Sequence, residues 1–160
     1  MARYVEAPEW CGSDTDCSIF LAGGITGCAD WQQIVTQRLM PFERLAILNP
    51  RRKFLEETNL AAEEQIRWEF QHLVVARCVC FWFPSETLCP IALFEYGKYL
   101  GRGEVPLFVG CSPNYSRQFD IEIQTKLENP GMVVNTSLES MIDEIIKYLS
   151  FTMKLKYGSK

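Results

Sequence analysis

Five short, almost uniformly apolar runs recur along this chain, each separated from the next by a stretch suited to a helix. They are Ser18 to Ile25 (SIFLAGGI), Leu45 to Asn49 (LAILN), Cys78 to Phe83 (CVCFWF), Val105 to Val109 and Met132 to Asn135. A strand that is apolar along its whole length must be covered on both faces, which is the condition of a parallel sheet. Right-handed crossovers then place a helix over each strand pair. The expected fold is α/β, a doubly wound, flavodoxin-like five-stranded parallel sheet with helices on both faces. With strand order 2-1-3-4-5, the loops after the first and third strands converge at the switch point, where open sheets keep their ligand crevices.

The intervening stretches read as helices with recognisable ends. Asp30 caps WQQIVTQRLM, with Gln33 at the third helical position, and Pro41 stops it. Ala61 to Ala76 is expected to turn Ile66, Phe70, Leu73 and Val74 to one side. Pro90 suits a first turn and Gly101 a C-terminal stop for the helix after the third strand. Arg117 to Leu127 and Leu138 to Phe151 complete the set. At 160 residues one domain is the default. We divide the chain into an N-terminal extension (1–17), a folded domain (18–151) and a loosely held tail (152–160).

Charge and composition narrow the partners. The net charge of -4 argues against a nucleic-acid polymer, since phosphate tracking needs a basic patch. The basic clusters are small: Arg51-Arg52-Lys53, and Lys154, Lys156 and Lys160 near the end. A small-molecule partner is expected instead. No apolar run reaches the roughly 18 to 20 residues of a membrane span. The opening MARYVEAPEWCGSDTD has no apolar core of signal-peptide length, so no membrane association and a cytosolic protein are expected.

Seven cysteines (Cys11, Cys17, Cys28, Cys78, Cys80, Cys89 and Cys111) form no CxxC pair and are read as free, mostly buried thiols. His72, the one histidine, is read as a surface or partly buried side chain. Glu69 is its only acidic neighbour at ligand spacing, so no metal is expected. Gly23-Gly24 belongs to neither a GxGxxG nor a GxxxxGK loop, so no cofactor is expected.

Glu95 is the first candidate for chemistry. It stands among Ile91, Leu93, Phe94 and Gly97 in the helix after the third strand, on the side of the sheet where the Gly23-Gly24 turn ends the first. The alternative is a solvated helix carboxylate paired with Lys98 or Arg102. The two glycines allow close approach of a ligand, or simply a tight turn.

Five pieces in order, FLAGGIT with a following tryptophan (Phe20 to Thr26, Trp31), ILNPRR (Ile47 to Arg52), QIRWE (Gln65 to Glu69), VCFWFP (Val79 to Pro84) and FEYG (Phe94 to Gly97), carry a resemblance. Over about residues 18 to 111 the chain resembles the nucleoside 2-deoxyribosyltransferase-like family. The resemblance implies cleavage of a nucleoside or nucleotide N-glycosidic bond, or 2-deoxyribosyl transfer, through a covalent glycosyl-enzyme. Glu95 matches the nucleophile. Glu69 matches an acidic residue that protonates the leaving base or positions it, the alternatives being a surface charge or a partner for Arg67 or Arg52. A homo-oligomer is also implied. Cys89 stands where relatives usually carry an aspartate, and Ala76-Arg77 where many have Ala-Asp. Glu86 in the preceding loop, or a different substrate, would account for the missing acid.

Further candidates for substrate binding follow from position. Thr26 could hydrogen-bond a sugar hydroxyl or phosphate, and Asp30 could face the ligand if it is not simply the cap. Trp82 at its strand end suits either base stacking or core packing. Arg51 and Arg52 suit a 5′-phosphate or an exposed loop. Asn114 and Tyr115, after the fourth strand, lie on the same sheet edge, and Cys89 is a thiol near a helix N-terminus, a place that lowers thiol pKa. A non-catalytic nucleotide-binding or sensing module with the same pocket is the reading from another functional class.

Overall fold

The computed structural model describes residues 1–12, 17–53 and 58–158; Lys160 lies outside the described residues. Strands β1 (Arg3–Glu6), β2 (Cys17–Gly23), β3 (Leu45–Asn49), β4 (Cys78–Phe83), β5 (Leu107–Cys111) and β6 (Val134–Asn135) form one sheet. Every paired neighbour is parallel and the order is β1-β3-β2-β4-β5-β6. The five expected strands thus stand in the expected order, and the sheet has a sixth. The addition, β1, comes from within residues 1–17 and pairs with β3 at the sheet edge, Val5 opposite Leu48. Its four residues, RYVE, hold two charged side chains and one buried position, too short an apolar run to stand out beside the buried strands.

The alternation of side chains along each strand divides the core in two. From β2, Phe20 and Ala22 enter one cluster and Ile19 and Leu21 the other. From β4, Val79, Phe81 and Phe83 point to the first face, and Cys78, Cys80 and Trp82 to the second. Helices α1 (Trp31–Leu39) and α5 (Leu138–Tyr157) cover the second face. The first is covered by α2 (Asn59–Val75), α3 (Pro90–Arg102) and α4 (Gln118–Glu128). The chain moves outward from β2 to β3 through α1, then back past β2 to β4 through α2. Reversing direction with the same crossover hand sends α2 to the opposite face.

Helix ends follow local chemistry. Asp30 caps α1 by accepting from the Gln33 N–H at 3.0 Å. Gly101 lies inside α3, and Gly103, at φ 61, is the left-handed cap. Helix α5 continues past Phe151 to Tyr157, so residues expected as a loose tail are mostly helical.

Helix α2 shows the largest departure. Its buried residues are Gln65, Trp68, His72 and Leu73, whereas Ile66, Phe70 and Val74 are exposed. Trp68 explains the rotation, because its ring packs near Phe20 and its indole N–H donates to the Glu9 carbonyl at 2.7 Å. His72 is fully buried rather than at the surface. Its Nε2 accepts the Cys11 N–H at 3.3 Å, which leaves Nδ1 protonated to donate to the Trp68 carbonyl at 2.8 Å. Burial holds its pKa below the usual value, and both ring nitrogens are satisfied in the neutral form. Among the described residues no helix is long and apolar enough to cross a membrane.

Candidate active site

The turn after β2 has room for nothing but glycine. Gly23 has φ 147, and a Cβ there would run into the Trp82 carbonyl oxygen and within 2.8 Å of the Trp31 ring. A Cβ on Gly24 would stand 2.6 Å from the Pro84 ring and 3.0 Å from the Cys89 sulfur. The Gly24 carbonyl accepts from Trp31 Nε1 at 2.8 Å and from the buried Gln32 amide at 3.1 Å. The turn is therefore pressed against the end of β4 and tied to α1, so its backbone forms a fixed wall.

Helix α3 begins where β4 has ended, with Pro90 at its first position. Its cap residue, Cys89, is in the left-handed region at φ 52. Tyr115, stacked on Phe83, donates its hydroxyl hydrogen to the Leu88 carbonyl at 2.7 Å and so holds this approach loop from the β5 side. Ala92, Tyr96 and Tyr99 bury the helix against the sheet, and Glu95 falls one turn after Ala92, at the edge of that buried face.

Between the glycine turn and α3 lies a cavity of about 340 Å³. Gly23, Gly24, Thr26, Glu69, Cys89 and Glu95 all line it, along with the apolar walls Phe20, Ile25, Pro50 and Ile91. Glu69 reaches it from α2, on the helix face rotated inward by Trp68. Burial, and then the charge of Glu69, push the Glu95 carboxyl up to about 7, with Lys98 opposing. The Glu69 carboxyl is also raised by burial, against a hydrogen bond from Gln65 that favours its charged form. With its pKa near 7, the Glu95 carboxyl is close to half protonated at neutral pH. The partners that the alternative readings gave to Glu69 and Glu95 are engaged elsewhere: Arg67 pairs with Glu63 and Arg52 with Glu64, while Lys98 lies over the Phe70 ring and Arg102 over Tyr99.

The other expected binding residues fall outside this cavity. Asp30, Arg51 and Arg52 line a neighbouring polar hollow with Tyr4, Gln33 and Lys53, sharing only Ile25 with the first. Arg51 is occupied there: its Nε donates to Gln32, its Nη2 to the Ala29 carbonyl, and Asp30 lies 3.4 Å away. Arg52 donates to the Ala7 carbonyl as well as to Glu64. Trp82 is buried in the α1/α5 core, its ring against Gly110. Glu86 and Asn114 are exposed and line neither hollow.

Cys89 does face the cavity, but its thiol is pushed up to about 11, first by burial and then by Cys28 and Glu86. Desolvation outweighs the helix end, and the group is a neutral thiol at neutral pH. Thr87 and Pro50 also line the cavity and were not singled out from sequence; each follows a strand end, which was the available signal. Among the described residues no group of His, Cys, Asp or Glu could hold a metal ion.

No curated protein matches the chain. A family model described as "Nucleoside 2-deoxyribosyltransferase like" matches residues 16–115, which run from the start of β2 past the end of β5. Every residue lining the cavity lies inside that match, as do both carboxyls and the glycine turn. With most of its length and its whole candidate site so covered, the chain belongs to the nucleoside 2-deoxyribosyltransferase-like family.

Proposed function

We propose that the protein cleaves the N-glycosidic bond of a neutral nucleoside, or transfers its 2-deoxyribosyl group, through a covalent glycosyl-Glu95 intermediate. The observation that carries this reading is the meeting of two carboxyls, Glu95 and Glu69, in one small cavity beside a glycine wall. Glu95 attacks C1′ as the bond to the base breaks, and the electron pair leaves on the base nitrogen, which Glu69 protonates. A base or water then attacks C1′ and displaces the Glu95 carboxylate, giving up its proton to Glu69, which is thereby restored. Before substrate binds, the Glu95 carboxyl, with its pKa near 7, is partly protonated at neutral pH. Positive charge developing at C1′ favours its anionic, nucleophilic form.

Nucleoside is favoured over nucleotide because, among the described residues, no Lys or Arg lines the cavity, and Arg51 and Arg52 are engaged elsewhere. A phosphate dianion would meet two carboxyls without a cation. The test incubates the purified protein with deoxynucleosides, their 5′-monophosphates and free bases, following base release or exchange by chromatography. We expect turnover of nucleosides, a glycosyl adduct in intact mass that Glu95→Ala abolishes, and a loss of roughly 10²- to 10⁴-fold in Glu69→Gln. Base release that survives Glu95→Ala would overturn the nucleophile assignment. Binding without turnover in every mixture would leave the non-catalytic module as the function.

A further inference from the structure

Gln65 carries no part in the mechanism above, yet it is the residue that holds Glu69. Its side-chain amide is nine-tenths buried on α2, one turn before Glu69. Both amide hydrogens are committed: Nε2 donates to the Pro50 carbonyl at 2.8 Å and to Glu69 Oε1 at 2.7 Å. Its own Oε1 is buried with no hydrogen-bond partner among the described residues. Turning the amide over would set that oxygen against a carbonyl and a carboxylate, two acceptors, so the orientation is determined by its neighbours. A buried acceptor left unsatisfied destabilises the fold, so stability alone does not account for glutamine here. Pro50 follows β3 and lines the cavity itself, so the clamp links Glu69, through Gln65 on its own helix, to the end of the sheet.

We propose that Gln65 is the positioning residue of the carboxyl pair: held by Pro50, it fixes one oxygen of Glu69 and leaves the other free for the ligand. This rests on the glycosidic reading for its catalytic consequence, but not for its physical content. The groups facing Glu69 are Gln65 on its own helix, and Glu95 and the neutral Cys89 from across the cavity, with Lys98 acting through Glu95. Gln65 is the donor that favours an ionised Glu69 against burial. Removing it therefore raises the pKa of Glu69 as well as loosening its carboxyl.

The test uses Gln65→Met and Gln65→Asn, two variants that lose the bond in different ways, with the glutamate side-chain carboxyl carbons labelled with ¹³C. Signals are assigned through Glu69→Gln and Glu95→Gln, and titrated by NMR. The Glu69 carbon is expected to titrate at higher pH in both folded variants than in the wild type. In the base-release assay kcat should fall on the order of tenfold to a hundredfold with KM changed less. The alkaline limb of the pH profile should move to higher pH, a displacement that a merely structural defect would not produce. An unchanged Glu69 titration in either folded variant overturns the positioning role. Absence of base release in the wild type overturns the glycosidic reading instead, and the titration still decides what Gln65 does.

Discussion

Gly23 and Gly101 show how differently one residue type acts at two places in this chain. Gly23 combines φ 147 with a position closed by Trp82 and Trp31, while a Cβ on Gly101, inside α3, would meet nothing within 4 Å. Gly23→Ala is expected to destabilise by on the order of 4 kcal/mol or more, because backbone strain and a main-chain clash act together. Gly101→Ala should stabilise by about 0.5–1 kcal/mol, since alanine lowers the entropy lost on forming the helix. Urea unfolding of both variants reads the contrast, and equal effects would contradict the account. The glycine pair was legible in the sequence as a turn near a ligand. Its neighbours were not, because the closeness of Trp82 and Cys89 arises from strand pairing, Gly23 opposite Trp82, and no local pattern encodes that register. Glu95 was legible for the converse reason, as a single carboxylate just beyond a strand end. Gln65 was hidden because its partners, Pro50 and Glu69, meet only once α2 has turned its polar side inward.

At the scale of an element, α2 is where periodicity misled. Leu73 and Val74 are adjacent and both were expected on one apolar side of the helix, yet Leu73 is 3% exposed and Val74 56%. Leu73→Ala should therefore cost about 2–5 kcal/mol, and Val74→Thr no more than about 0.5 kcal/mol, in chemical denaturation. A large loss in Val74→Thr would mean that the apolar side of α2 packs inward after all. The inward side holds Gln65, Glu69 and His72, three polar groups that a hydrophobic count assigns to solvent. Each has a specific reason to be inside: a clamp, a place in the cavity, and a bond from the Cys11 backbone. Strands β2, β3 and β4 were legible almost to the residue, because a run apolar on both sides admits few alternatives. The edge strand β1 was not, since its bonds lie along one side only and two of its four residues, Arg3 and Glu6, are charged.

Across the whole molecule the thiols, spread over both core clusters, set the alkaline limit of stability. Burial raises the pKa of Cys11, Cys28, Cys78, Cys80, Cys89 and Cys111 above the ordinary value of 9.0. As pH rises through 9 the unfolded chain releases these protons while the folded chain keeps them. The folded state then binds more protons, and stability must fall as pH rises. Each fully shielded thiol contributes a slope of at most roughly 1.4 kcal/mol per pH unit, and the more accessible Cys28 less. Tyr4, Tyr96 and Tyr115, pushed up to about 12, add the same sign above pH 10. Urea unfolding under reducing conditions should thus show little change between pH 7.5 and 8.5 and a steepening loss from pH 9 to 10. Cys80, at the centre of β4 and without solvent exposure, isolates one proton of that slope. Cys80→Ala lowers stability at pH 8 by creating a small cavity, but between pH 9 and 10 its stability should decline less steeply than that of the wild type. Parallel declines in the two proteins would assign the alkaline loss to groups other than the thiols of the sheet.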